Sequence, residues 1–319
     1  MLTLTLNAAL DVTYRVDELI VGQSHRVEAV SSRAGGKGVN VARVLRQLGR
    51  KVVVSGLVAG EVGEGIRADV VGAGMTEAFV SAEGESRRTV TIVDARGATA
   101  FNESGAAMTL PDWTSAERKM RSLMKGSNVI VASGSLPPCA PEDAYANLTE
   151  AAHSHGGRII VDASGPALLH AARAGADVLK PNAGELLEST GCTSVDDGVD
   201  ALLDLGAGAV AASLGAEGLI VRSRSGSVRA RPIRGVSGNA TGAGDAVVAA
   251  LAIALDSGWT LAESALFAVS LSAAAVAHPL AGSFDADVFG ERLAELDDDG
   301  MHTTQLLAVA AGDEQGERR

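Results

Sequence analysis

The sequence has little of what marks secreted, membrane-bound or disulfide-stabilised proteins. Cysteine occurs only twice in 319 residues, as Cys139 and Cys192, which is too few for a disulfide framework and indicates a reducing compartment. The longest apolar stretches, such as residues 246–255, are well short of the roughly 20 residues that span a bilayer. Residues 1–6 alternate without a basic segment, which argues against a secretory signal. We expect a cytoplasmic protein with no membrane partner.

Positive charge and aromatic side chains are also scarce. The 27 basic residues are outnumbered by 39 acidic ones, and the formal net charge is −12. This excludes a sequence-independent nucleic-acid binder, which needs a surplus of Lys and Arg. Aromatic residues make up 3% of the chain, whereas 46% is hydrophobic and 38 residues are glycine. Such a chain can bury a large core of Ala, Val and Leu and is not disordered.

Apolar, β-branched runs alternate with amphipathic segments along most of the chain. The runs predict strands at residues 2–6, 51–57, 129–132, 158–161, 178–179, 209–213 and 218–221. The segments between and after them predict helices at 38–48, 65–71, 115–124, 141–155, 166–174, 184–189, 195–205 and 246–256. This order predicts an α/β fold with an open, mostly parallel sheet flanked by helices on both faces. Loops that carry chemistry then lie at the carboxyl ends of the strands.

Two regions do not follow this alternation of predicted strands and helices. Residues 11–33 and 87–102 alternate polar and apolar side chains, which is typical of a sheet with one wet face. We interpret them as a small β-sheet lid inserted into a core formed by residues 1–10, 34–86 and 103–296. Edge hairpins of the main sheet are the alternative. Residues 297–319 are polar at both ends and predict a solvated C-terminal tail.

The segment 239–245 (NATGAGD) runs directly into an apolar helix. Small residues at a helix start let backbone N–H groups converge on an anion, and the helix dipole reinforces the attraction. Asp245 at its edge is suited to accept the proton of an attacking hydroxyl during phosphoryl transfer. An aspartate that merely caps the helix is the alternative.

A second segment favours the chemical interpretation. In residues 180–185 (KPNAGE), Asn182 and Glu185 are three positions apart and share one helix face. Two such oxygen donors suit a Mg²⁺ ion that keeps most of its waters. Residues 213–218 (SLGAEG) end another strand with a glycine turn suited to a nucleotide. Each signal is weak alone, because Asn and Glu also cap helices and glycines also form turns.

Two other glycine clusters do not match the nucleotide motifs they suggest. Residues 35–38 (GGKG) fail as a phosphate-binding P-loop, because Ser31 and Gly38 stand where that motif needs a Gly and a Ser or Thr. Residues 60–65 (GEVGEG) do not have the spacing of a dinucleotide-binding fingerprint. We interpret the second cluster as structural turn glycines before a helix, which disfavours a nicotinamide-dependent oxidoreductase.

Taken together, the segments resemble the ribokinase-type (PfkB) carbohydrate kinases, in particular the branch of 1-phosphofructokinases and tagatose-6-phosphate kinases. The resemblance runs from about residue 3 to about residue 296. It rests on segments at 34–48 (AGGKGVNVARVLRQL), 132–138 (ASGSLPP), 162–165 (DASG), 180–186 (KPNAGEL), 213–218 (SLGAEG) and 241–245 (TGAGD). It implies a ribokinase-like fold with a lid that closes over a sugar.

The resemblance also implies roles for individual residues. Asp245 matches the catalytic base, and the N–H groups of Gly242, Ala243 and Gly244 match the anion hole for the γ-phosphoryl group of ATP. Asn182 and Glu185 match the element that holds Mg²⁺ through water. The residues matched to ATP binding are Lys180, Ser213, Gly215 and Gly218. Those matched to the sugar are Asp11, Gly36 and Asn40, with Lys37 and Arg87 for its phosphate group and Arg26 as a weaker candidate.

The expected reaction is ATP-dependent phosphorylation of a ketohexose monophosphate, with fructose 1-phosphate going to fructose 1,6-bisphosphate as the first choice. Tagatose 6-phosphate and fructose 6-phosphate are alternative acceptors. A non-catalytic sugar-phosphate or nucleotide sensor on the same fold is an alternative of a different class. A homodimer through the lid is expected, because exposed edge strands tend to find a partner.

Overall fold

The computed structural model describes residues 1–27, 29–231, 235, 236, 238 and 240–296. Within these residues the strands are β1 (Leu2–Thr5), β2 (Ala9–Arg15), β3 (Ala29–Gly35), β4 (Val53–Ala59), β5 (Thr76–Glu77), β6 (Val80–Ala82), β7 (Arg87–Asp94), β8 (Gly97–Asn102), β9 (Val129–Ser133), β10 (Arg158–Asp162), β11 (Val178–Leu179), β12 (Ala209–Ser213), β13 (Leu219–Ser223) and β14 (Gly226–Ala230). The helices are α1 (Lys37–Gln47), α2 (Gly60–Gly72), α3 (Leu110–Leu123), α4 (Ala144–Ser154), α5 (Gly165–Arg173), α6 (Ala183–Thr190), α7 (Val195–Leu205), α8 (Ala243–Ser257), α9 (Leu261–Ala277) and α10 (Ala286–Leu296).

The main sheet has the order β14-β13-β12-β11-β10-β9-β1-β4-β5, and β6 pairs with the far end of β4. Its pairings are parallel from β12 to β5, and only the β12–β13 and β13–β14 pairings are antiparallel. The predicted open, mostly parallel sheet is therefore confirmed. Because parallel strands end at the same edge, the loops after β1, β9, β10, β11 and β12 meet on one side of the molecule.

Helices cover both faces of this sheet, as predicted. Helices α1, α2, α8, α9 and α10 contribute to one buried apolar cluster, and helices α3 to α7 contribute to the other. The strands alternate between the clusters: Val129 and Val131 of β9 belong to the first, whereas Ile130 and Ala132 belong to the second. With few aromatics available, packing depends mainly on aliphatic side chains. Edge-to-face contacts join Trp259, Phe267, Phe289 and Phe284 in one group.

A second sheet has four strands in the order β3-β2-β7-β8. Its residues come from the two segments, 11–33 and 87–102, where the hydrophobic pattern changes, together with the flanking positions 9, 10, 34 and 35. Every residue of β8 and the first four residues of β3 are exposed. A separate small sheet, rather than edge hairpins of the main sheet, is present; its role as a lid stays a prediction.

The sequence-based interpretation of residues 60–65 as turn glycines before a helix is wrong. These residues form the first turns of α2 itself. The cause is tertiary. Glu85 Oε1 accepts the N–H of Val62 at 2.6 Å and so caps this helix from a distant segment. Gly63 lets the helix pack closely on β4, since a Cβ there would lie 3.1 Å from Val58 Cβ. Helices α9 and α10 and strands β5, β6 and β14 were not predicted.

Some sequence predictions fall outside the described residues. The C-terminal tail, residues 297–319, is one, and Asn239 of the glycine-rich segment is another. No helix in the part of the chain that the structure describes is long and apolar enough to cross a membrane.

Candidate active site

A cleft of about 950 Å³ lies between the small sheet and the carboxyl ends of the main-sheet strands, a size suited to a small-molecule site. It contains every residue that the sequence analysis assigned to catalysis or binding, except the weaker candidate Arg26. These residues are Asp11, Gly36, Lys37, Asn40, Arg87, Lys180, Asn182, Glu185, Ser213, Gly215, Gly218, Gly242, Ala243, Gly244 and Asp245. Their proximity follows from the fold, whereas their individual roles stay predictions.

Asp245 is the third residue of α8, and only 6% of its surface is exposed. Asn40, on α1, donates a hydrogen bond from Nδ2 to Asp245 Oδ2 at 2.8 Å. Burial raises the pKa of Asp245 to about 7, and the nearby negative charge of Asp162 adds to this rise. The hydrogen bond from Asn40 and the charges of two lysines oppose the rise without cancelling it. The carboxyl group therefore changes protonation near neutral pH.

The loop before Asp245 needs its glycines. Gly242 precedes the first residue of α8 with a φ of +89°, where L side chains are strained, and a Cβ there would lie 3.0 Å from Ala281 Cα. The N–H of Ala243 donates to the Ala240 carbonyl at 3.2 Å. Among the described residues, the N–H groups of Gly242 and Gly244 donate no comparable backbone bond, although the Gly242 carbonyl accepts from the N–H of Ala246. These two amides are therefore the better placed of the predicted three to bind an anion.

Asp162, the last residue of β10, is a member of the site that the sequence analysis did not single out. It is 1% exposed. Its Oδ1 lies 3.1 Å from Lys37 Nζ and 3.5 Å from Lys180 Nζ, so one carboxylate holds two lysines. Its Oδ2 is buried with no hydrogen-bond partner among the described residues. The only sequence signal was its place directly after the predicted strand at residues 158–161, in the DASG segment.

The segment after β11 lines the cleft on the side predicted for the nucleotide. Asn182 and Glu185 form a reciprocal capping box at the start of α6, with both hydrogen bonds at 2.9 Å. Asn182 also bridges to Ser213 at the end of β12. The next turn has positive φ angles at Gly215 and Gly218, of 58° and 97°. Asn182 and Glu185 therefore do cap the helix. These capping bonds leave lone pairs on the Glu185 carboxylate that can still contact water.

Lys37 lies between carboxylates. Besides Asp162, its Nζ is 3.5 Å from Glu185 Oε1. Burial acts to lower the pKa of Lys37, but these acidic neighbours outweigh it and raise the pKa. The ammonium group is thus drawn toward Glu185, on the side predicted for the nucleotide and metal.

Residues of the small sheet line the side of the cleft that is predicted for the sugar. Burial raises the pKa of Asp11, and a hydrogen bond with Thr89 and the charge of Arg87 only partly offset this rise. The neighbouring Gly35 has no room for a side chain, since a Cβ would lie 1.9 Å from Asp11 Oδ2. Arg87 donates from Nε to the Asn7 carbonyl at 3.0 Å. Among the described residues it forms no ion pair within 4 Å, so its charge is available to a ligand anion.

The fold and the site define a ribokinase-like α/β protein with a polar cleft at the carboxyl edge of its sheet. Phosphofructokinase-2 from Escherichia coli, in complex with potassium, superposes with a TM-score of 0.87 at 28% identity, covering 93% of this chain and 99% of that chain. The same enzyme in complex with fructose-6-phosphate superposes with a TM-score of 0.84 at 27% identity, covering 93% and 99%.

The sequence comparisons identify the family to which the chain belongs. The family described as pfkB family carbohydrate kinase matches residues 5–287. A 1-phosphofructokinase from Rhodobacter capsulatus is 35% identical over 282 residues, which are 86% of this chain and 89% of that protein. The chain belongs to the pfkB family of carbohydrate kinases, as the sequence motifs predicted.

The raised pKa of Asp245 gives a prediction about stability. The folded protein holds this proton more tightly than the unfolded chain, so the contribution is fully present below pH 3.8 and is lost as the pH rises through about 7. Asparagine cannot ionise. We therefore expect the free energy of unfolding of Asp245→Asn, relative to wild type, to grow by about 2–3 kcal/mol between roughly pH 5 and pH 8.

Urea unfolding at several pH values measures this difference. The same substitution at the exposed Asp17 serves as the control and should follow the wild-type pH dependence. A constant gap between Asp245→Asn and wild type across the range would show that Asp245 ionises normally in the folded protein.

Proposed function

We propose that this kinase transfers the γ-phosphoryl group of ATP to a hydroxyl of a ketohexose monophosphate, converting fructose 1-phosphate to fructose 1,6-bisphosphate. Family membership supports ATP as the phosphoryl donor. The 35% identity to a 1-phosphofructokinase supports this acceptor over others. The observation that carries the proposal is the buried Asp245, with a pKa of about 7, beside the glycine-rich start of α8.

In this reaction Asp245 accepts the proton of the attacking hydroxyl, and Asn40 holds the carboxylate toward it. A base whose pKa lies near the working pH is both ionised and basic enough to act. The amides at the start of α8 stabilise the charge that develops on the transferring phosphoryl group. Lys180 supplies further positive charge, since a Cβ on Gly244 would lie 3.5 Å from its Nζ.

Asp162 acts through the lysines. By contacting both Lys37 and Lys180 it fixes two ammonium groups that would otherwise be mobile. Positioned charge of this kind costs no reorganisation when the transition state forms. Its own negative charge also keeps the pKa of Asp245 high.

Mg²⁺ is expected on the side of Asn182 and Glu185. No group of three or more His, Cys, Asp or Glu among the described residues could hold a metal directly. The two side chains already bond each other's backbone, so they fit a hydrated ion that arrives with the nucleotide phosphates. When bound, the ion would neutralise charge on the phosphate oxygens.

On the acceptor side, Asp11 and Asn40 contact the sugar hydroxyls, and Arg87 binds the phosphate group already on the sugar. A guanidinium without an ion pair suits a bidentate contact with phosphate. The small sheet closes over the acceptor and excludes water that would otherwise hydrolyse ATP.

The outer strands of the small sheet expose Val30 and Phe101, at 60% and 56%. These apolar side chains are the surface through which we propose a homodimer.

A second acceptor is favoured by one observation. The Escherichia coli enzyme that superposes on this chain was solved with fructose-6-phosphate. Fructose 6-phosphate is therefore the main alternative, and tagatose 6-phosphate, from the motif resemblance, is the next.

The proposal is tested by ADP release with Mg·ATP and four acceptors: fructose 1-phosphate, fructose 6-phosphate, tagatose 6-phosphate and fructose. We expect the highest kcat/KM with fructose 1-phosphate and a value at least about 10²-fold lower with fructose, which leaves the phosphate contacts unmade. Turnover of fructose alone would contradict a phosphate-binding acceptor site. Binding of sugar phosphate without any turnover would show a sensor instead of a kinase.

The pH dependence tests the proposed base. Protonated Asp245 cannot accept a proton, so kcat/KM should fall below about pH 7. Asp162→Asn removes a negative charge that raises this pKa, and we expect the acidic limb to move to lower pH. Asp245→Asn should lower kcat by about 10²-fold or more. An acidic limb that stays in place in Asp162→Asn, or near-normal kcat in Asp245→Asn, would remove Asp245 from this role.

Arg87 and Arg88 form a matched pair on β7, because neighbouring residues of a strand face opposite sides. Arg87 lines the cleft and Arg88 is exposed. We expect Arg87→Ala to raise the KM for sugar phosphate by about tenfold or more with little change in the KM for ATP. Steady-state kinetics should show no such effect for Arg88→Ala. Equal increases in both KM values for Arg87→Ala would place this residue elsewhere.

A further inference from the structure

A second cavity, of about 280 Å³, lies beside the catalytic cleft and shares none of its lining residues. Three arginines line it: Arg33 on β3, and Arg43 and Arg46 on successive turns of α1. Gly282 and Ser283, from the loop after α9, also line this cavity. We refer to it as the arginine cavity. No carboxylate is among the described residues that line it.

Several side-chain N–H groups of these three arginines have no hydrogen-bond partner among the described residues. The side chain of Arg43 is 10% exposed and ion-paired with Asp69, yet its Nε is buried without a hydrogen-bond partner among the described residues. The side chain of Arg33 makes no hydrogen bond or ion pair within the described chain, although its backbone is paired in the small sheet. Arg46 uses Nε to bond the Gly74 carbonyl at 3.1 Å, which leaves its terminal nitrogens unpaired there. A buried donor without a partner costs free energy that a ligand acceptor would recover.

Like charges meet in this cavity. Burial lowers the pKa of Arg33, and the positive charge of Arg43 lowers it further. The carboxylates of Asp69 and Asp11 act in the opposite direction but do not restore it. Three clustered arginines are unusual on a chain whose net charge is −12. An anion placed among them would relieve the repulsion and accept the spare hydrogen bonds.

We propose that the arginine cavity is a binding site for a small phosphate dianion, either inorganic phosphate or a phosphate monoester, separate from the cleft in which phosphoryl transfer is proposed. Guanidinium groups match phosphate oxygens in bidentate geometry. A volume of about 280 Å³ admits such an ion with its waters. The hydroxyl of Ser283 adds a neutral donor. This inference concerns a different site and does not rest on the proposed reaction.

An anion in this cavity would join the small sheet to the core. Arg33 belongs to the small sheet, where it stands directly opposite Asp11 of the acceptor side. Arg43 and Arg46 belong to α1, the helix that also carries Lys37 and Asn40. On the loop, a Cβ at Gly282 would lie 2.9 Å from Asn40 Oδ1, so this wall of the cavity also packs against the cleft. The bound ion would therefore hold the sheet on the core next to the acceptor.

Calorimetric titration with inorganic phosphate, at an ionic strength kept constant with sodium chloride, tests the proposal without requiring catalysis. We expect Arg33→Gln and Arg46→Gln each to weaken phosphate binding by about tenfold, since each removes a charged donor. Arg118→Gln, at an exposed position on α3, is the matched control and should bind like wild type. Thermal unfolding of each variant verifies that it is folded. Hydrogen exchange of β3 amides should slow with phosphate in wild type but not in Arg46→Gln.

Other results would overturn the proposal. Phosphate binding that survives in Arg33→Gln and Arg46→Gln but is lost in Arg87→Ala would place the ion in the cleft. No binding by wild type at phosphate concentrations up to about 50 mM, well above millimolar affinity, would remove the site. If fructose 1-phosphate displaces the ion and Arg33→Gln raises its KM as much as Arg87→Ala does, the cavity belongs to the acceptor site. The first two results do not depend on which acceptor the enzyme phosphorylates.

Discussion

The protonation of Asp245 depends on the balance of charge and burial at the carboxyl edge of the main sheet, where two carboxylates, Asp162 and Asp245, lie near two ammonium groups, Lys37 and Lys180. Asp162 contacts both Lys37 and Lys180, whereas Asp245 accepts its side-chain hydrogen bond from the neutral Asn40 and pairs with neither lysine among the described residues. A buried charge without a partner is costly. Burial, reinforced by the negative charge of Asp162, raises the pKa of Asp245 to about 7. The same charge balance that stabilises Asp162 leaves Asp245 ready to take up a proton.

The parallel sheet is what brings these groups together. Asp162 ends β10, Lys180 follows β11 and Ser213 ends β12, so three neighbouring strands deliver side chains to one edge. Helices α1 and α8 add Asn40 and Asp245, which are 205 positions apart in the chain. The small sheet, β3-β2-β7-β8, contributes Asp11, Arg87 and Thr89 to the lining of the cleft at this edge. Helix α1 lines both the cleft and the arginine cavity.

Local sequence signals predicted much of this arrangement. Apolar runs located the central strands, and the spacing of glycines with Asp245 located the start of α8, because periodicity and helix starts are encoded by nearby residues. The same reasoning was wrong for residues 60–65, where Glu85 caps a helix from a distant segment. It also passed over Asp162, whose importance lies in contacts with two lysines far along the chain.

By itself the sequence determined the α/β class, the order of most elements, the two segments that form the small sheet and most of the polar residues that line the cleft, Asp162 excepted. Each of these is written in hydrophobic period, glycine placement or short motifs. Only the tertiary structure decided which charges meet: that Lys37 pairs with Asp162 and Glu185, that Arg87 forms no ion pair within the described chain, and that three arginines surround one cavity. Pairing, burial and therefore pKa depend on distances between groups far apart in the chain, and no local pattern encodes those distances.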